Sequence, residues 1–98
     1  MTTSVFRFSF ASHVLLSDAE ASLLLAAVAA EGLFGETAVR IDFDYFADAP
    51  RRALLIDAST TVGVAIVRMF ARLLTREFGG TAFDVRRVSV PRPGSAAA

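Results

Sequence analysis

The chain has 98 residues, 54% of them hydrophobic, and its ten basic and ten acidic side chains cancel to a formal net charge of zero. That length permits one domain with a single modest core, and a neutral chain has no overall field to draw in nucleic acid or an anionic membrane. There is no Cys, which excludes disulfides, thiol catalysis and Cys-ligated metal centres.

The first element is a strand. In "VFRFSF", Val5 to Phe10, the residues Phe6, Phe8 and Phe10 share one face and Val5, Arg7 and Ser9 the other. Period two marks a half-buried strand. Its start, "MTTSVFRFSF", lacks the basic-then-apolar order of a signal peptide. Ser17 with Glu20 three residues on is the pattern of a capping box, with Leu16 as its staple. These signals predict a helix over Asp18 to Glu31, closed by Gly32. Within it Ala21 to Ala30, "ASLLLAAVAA", carries no charge. It is too short to cross a bilayer, which takes about 20 apolar residues, so a cytoplasmic protein is expected. A helix lying on a sheet should show a polar outer face; here Ser22, Ala26 and Ala29 are expected to face solvent and to accept a partner.

The second strand is expected over Thr37 to Phe46, where Val39, Ile41, Phe43 and Tyr45 alternate with Arg40, Asp42 and Asp44. Asp42 and Asp44 would then stand about 6.8 Å apart on one strand face. A metal site needs more oxygen ligands or a histidine there, and none is nearby in sequence. Cross-strand pairing with Arg7 or Arg86 is the simpler reading. "ADAPRR" is a turn, and "RALLIDA", Arg52 to Ala58, is a third strand. Asp57 at its end either faces outward or supports the helix that follows.

"STT" supplies N-caps for a second helix over Thr61 to Phe78, which Gly79 and Gly80 stop. Arg68, Arg72 and Arg76 stand at i, i+4 and i+8 on it, one stripe without an acidic neighbour three or four residues away. All ten basic residues are Arg, and Arg suits planar recognition of carboxylates. The exclusive use of Arg beside abundant Ala is also what a GC-rich bacterial genome produces. A fourth strand is expected over Phe83 to Val90, with a bulge where alternation breaks at Arg86 and Arg87. "PRPGSAAA", residues 91–98, is expected to be a linker-like or disordered tail after a single domain over 1–90.

The order β-α-β-β-α-β, with right-handed crossovers, resembles the ferredoxin-like fold. The resemblance implies an α+β two-layer sandwich: a four-stranded antiparallel sheet with both helices on one face. That architecture hosts many functions, and the sites it usually carries find no counterpart here. The open sheet face lacks the aromatics with which RNA-binding versions stack bases. "ASHVLLSDAE" has no Gly with which to cradle a phosphate as acylphosphatase-like versions do, nor the effector loop of amino-acid-sensing versions. The Cys pair of copper-chaperone versions is missing. His13 has no nucleophile or triad spacing beside it and is expected at the surface. No catalytic residue, cofactor or metal ligand is therefore assigned, and no nucleic acid is expected as partner. The expectation is a non-enzymatic adaptor or interaction module that recruits a protein or self-associates, the N-terminal domain of a longer bacterial protein. In architecture it resembles the small adaptor domains of bacterial signalling and conflict systems. The alternative is a dimeric ligand-binding or enzymatic domain of the same fold, with a pocket at a sheet edge.

Overall fold

Alternation along the first strand sets the architecture, and the computed structural model, which describes residues 2–91, follows it closely. Strand β1 runs Thr2–Phe10 and turns Phe8 and Phe10 into the core. It is followed by helix α1 (Leu16–Phe34), a short helix α2 (Glu36–Asp42), strands β2 (Tyr45–Asp48) and β3 (Ala53–Asp57), helix α3 (Thr61–Phe78) and strand β4 (Phe83–Pro91). The strands form one antiparallel sheet in the order β2-β3-β1-β4. This is a ferredoxin-like α+β sandwich, with β1 and β3 central and β2 and β4 at the edges. The expected tail lies outside the described residues except for Pro91, which pairs with Thr2 at the end of β4.

The core lies between sheet and helices. Phe8 and Phe70 meet with ring centroids 4.7 Å apart, and Phe10 reaches the same Phe70 at 6.5 Å. Leu54 and Ile56 from β3, Leu23 from α1, and Ile66 and Leu74 from α3 close around them with no exposure. Burying a side chain of this size is worth about 1.5–3 kcal/mol. A ring of three such phenylalanines is therefore enough to fix which face of β1 points inward.

α3 forms as expected. Thr60 is its N-cap, its Oγ1 accepting from the Gly63 amide at 2.9 Å, and Gly79 at φ 88° ends it. Gly63 is required for packing: a Cβ there would lie 2.2 Å from the Asp57 carbonyl oxygen, so the first turn of α3 can rest directly on the end of β3. Asp57 supports the same turn, its Oδ1 accepting from the Ser59 amide at 2.9 Å.

Four local expectations are corrected. The second strand does not begin at Thr37: residues 36–42 form α2, and β2 starts only at Tyr45. Helical spacing explains the burial better than period two, because Val39 is 4% exposed whereas Ile41 is 74% exposed. An Arg40–Glu36 pair at 2.8 Å spans one turn of α2. α1 begins at Leu16, not after Ser17, and its N-cap Leu15 makes no side-chain cap bond. Glu20 is taken instead by Tyr45, whose hydroxyl donates to its Oε2 at 2.6 Å. α1 then continues through Gly32 and stops at Gly35, φ 90°. Last, β4 carries no bulge at Arg86 and Arg87; its register with β1 runs unbroken from Phe83 to Pro91.

Candidate functional site

The face that stands out is built by α1 and α3 together. α1 buries Ala19, Leu23, Ala26, Ala27 and Ala30, the stripe that lies on the core. Small residues along that stripe let the helix sit low on the sheet. Its opposite side remains apolar: Leu24, Leu25, Val28 and Leu33 are 46, 54, 61 and 70% exposed. Leu24 and Leu25 stand four and three residues before Val28, and exposed Ala29 links Leu25 to Leu33 in steps of four, so the exposed residues form one continuous face. A helix that is apolar all round is normally buried all round; this one is covered on one side only.

Of the residues expected on that outer face, Ala29 is there and Ser22 and Ala26 are not. Ser22 is buried against α3, its Oγ donating to Glu77 Oε2 at 3.1 Å, and Ala26 has no exposure. Both are small residues at the line where the two helices meet, which is why an assignment by polarity placed them outward. The residues that the same reasoning passed over are Leu24, Leu25 and Val28. The signal for them was present: in an uncharged decapeptide, a leucine triplet cannot turn every side chain inward.

Arg68, Arg72 and Arg76 are exposed along α3. Among the described residues, the ion pairs join Arg40 to Glu36, Arg51 to Asp48 and Arg86 to Asp84, and none involves these three. Arg72 and Arg76 line a groove of about 300 Å³ together with the apolar Leu25, Ala26, Ala29, Met69 and Leu73. The uncharged stretch of α1 and the arginine stripe of α3, far apart in sequence, are thus two sides of one surface.

The remaining candidates are elsewhere. Asp42 ends α2 and Asp44 precedes β2, so they do not share a strand face with Arg7. The Asp42 carbonyl accepts from Thr60 Oγ1 at 3.0 Å, tying α2 to the start of α3. Arg7 stands opposite Leu55 and Arg86 in the sheet register, and Arg86 pairs with Asp84. His13 is exposed in the turn after β1. Among the described residues no group of three or more His, Asp or Glu is placed to hold a metal ion, and no helix is long and apolar enough to cross a membrane.

No protein-family model, curated protein or solved structure matches the chain. The fold defines its class, a ferredoxin-like α+β sandwich, and the surface chemistry must carry the rest.

Proposed function

We propose that this chain is a cytoplasmic, non-enzymatic protein-interaction module. In architecture it resembles the small adaptor domains of bacterial signalling and conflict systems. One observation carries the reading: the contiguous exposed stripe Leu24, Leu25, Val28 and Leu33 on α1. Scattered apolar residues on a surface are ordinary, but a contiguous apolar patch marks a contact surface. Folding does not require these side chains, because the core is filled from the other side of the helix.

The test is a Leu25→Glu/Val28→Glu double variant. Both positions are exposed, so its circular dichroism and unfolding midpoint should match the parent. Tagged parent chain, recovered from the cell that makes it, should carry a stoichiometric companion, either a second copy or another protein, that the double variant has lost. The same companions on both chains, or none on either, would contradict the proposal.

A further inference from the structure

We infer that the groove between α1 and α3 receives one amphipathic helix of a partner protein, acidic along the edge that meets Arg72 and Arg76. This rests on the reading of the chain as an interaction module and names the chemistry of its partner. The groove's lining is apolar at Leu25, Ala29, Met69 and Leu73 and cationic at the arginines. Arg72 and Arg76 line the groove, and Arg68 continues their stripe beyond it toward the start of α3, the three recurring every four residues with a rise of about 6 Å per step. A helix lying alongside would meet them with Asp or Glu at the same four-residue spacing, and its large apolar residues would enter the groove.

The occupant is a helix because both walls are helices. Their main-chain donors and acceptors are satisfied internally, so the groove offers no ladder to an extended strand, which would need the sheet edges β2 or β4. The occupant is also not the same face of a second copy. Across Ala21 to Ala30 that face carries no acid, and Asp18 and Glu31 lie beyond its two ends. Glu20 is engaged by Tyr45, and Glu77, bonded by Ser22, sits with Asp18 at one end of the face, beside Leu25 and Phe78. Face-to-face self-association would leave the arginines opposite aliphatic side chains, whereas an acidic helix matches both parts of the lining.

A display library of helix-stabilised peptides of about 14 residues, long enough to follow the groove, tests this. Leu is fixed at i, i+4 and i+7, the remaining positions are random, and the bait is the full chain. Selected peptides should carry Asp or Glu at four-residue spacing beside the leucines. By fluorescence polarisation, a selected peptide should lose about tenfold or more in affinity for Arg72→Glu, whose fold is checked by circular dichroism. It should regain affinity when its own acids are replaced by Lys, and added salt should weaken the parent complex. Selection without acidic bias, or affinity indifferent to Arg72→Glu, overturns the inference. If no peptide is selected but light scattering shows self-association that Leu25→Glu abolishes, the acidic-helix inference fails while the interaction module stands. If neither occurs, both fail.

Discussion

Single residues in this chain hold joints that no motif announces. Arg52 is the only non-glycine among the described residues with positive φ, at 51°. A left-handed backbone costs a side-chain-bearing residue roughly 1–2 kcal/mol, and its side chain returns that cost by donating from Nη2 to the carbonyls of Ala11 and Val14. Those carbonyls belong to the turn that leads β1 into α1, so one guanidinium fastens the β2–β3 hairpin to the start of the first helix. Arg52→Ala should therefore lose roughly 1.5–3 kcal/mol in urea unfolding, the worth of hydrogen bonds from a charged donor. Arg52→Gly should lose about 1 kcal/mol less, because glycine relieves the backbone. Equal losses would mean that the backbone is unstrained.

Tyr45 offers a second test at the same scale. Its hydrogen bond to Glu20, then its burial, then the Glu20 charge push its hydroxyl up from 10.0 to about 12. A folded-state value above the unfolded one means that this stability is complete below pH 10. It is lost as pH rises through about 12, because the unfolded chain releases the proton first. The chain has one Tyr, no Lys and no Cys, so no second Tyr, Lys or Cys changes charge in that window. Unfolding free energy should fall between pH 10 and 12 in the parent and stay flat in Tyr45→Phe. A parallel fall in both would remove Glu20 as the cause.

At the scale of elements, legibility followed burial. α3 could be delimited from sequence because it buries one clean stripe between Thr60 and Gly79, and phenylalanine alternation gave the end of β1 at Phe10, though the strand begins at Thr2, three residues before that alternation. α2 could not. Val39, Ile41, Phe43 and Tyr45 alternate through a helix and into a strand, and periodicity alone does not register the change of element at Phe43. Glu36 and Arg40, spaced four apart directly after Gly35, were the available helix signal. The start of α1 was hidden for another reason: Glu20, the residue that would have closed a capping box, is satisfied from β2, a long-range partner that no local pattern encodes. The candidate surface was half legible. The uncharged decapeptide and the arginine stripe were visible in the sequence, but their adjacency comes from the antiparallel packing of α1 on α3.

Three substitutions check the element-level packing. Gly63→Ala drives a methyl into the Asp57 carbonyl and should cost about 1–3 kcal/mol, the usual penalty of overpacking, seen as a lower urea midpoint. Ala26→Glu buries a charge between α1 and α3 and should abolish cooperative unfolding, whereas Leu25→Glu, one residue away, should leave the midpoint within about 0.5 kcal/mol. Reversed effects at 25 and 26 would mean that α1 is rotated about its axis.

For the whole molecule, overall neutrality conceals segregation. The helix layer presents an aliphatic stripe beside three arginines without ion-pair partners among the described residues, while the open sheet face sets Arg7 opposite Arg86 and mixes them with Asp57, Asp84, Leu55 and the exposed Phe46. A neutral total therefore removes long-range attraction to nucleic acid without removing a local charged edge that a protein can read. The proposed contact is made through the helix layer and not through the sheet. The most direct measurement places a photoreactive benzoylphenylalanine at Val28 in one chain and at Arg86 in another, and irradiates each in the cell that produces it. A discrete higher-mass adduct is expected from position 28 and none from position 86. An adduct from position 86 alone would place the working surface on the open sheet and contradict the proposal.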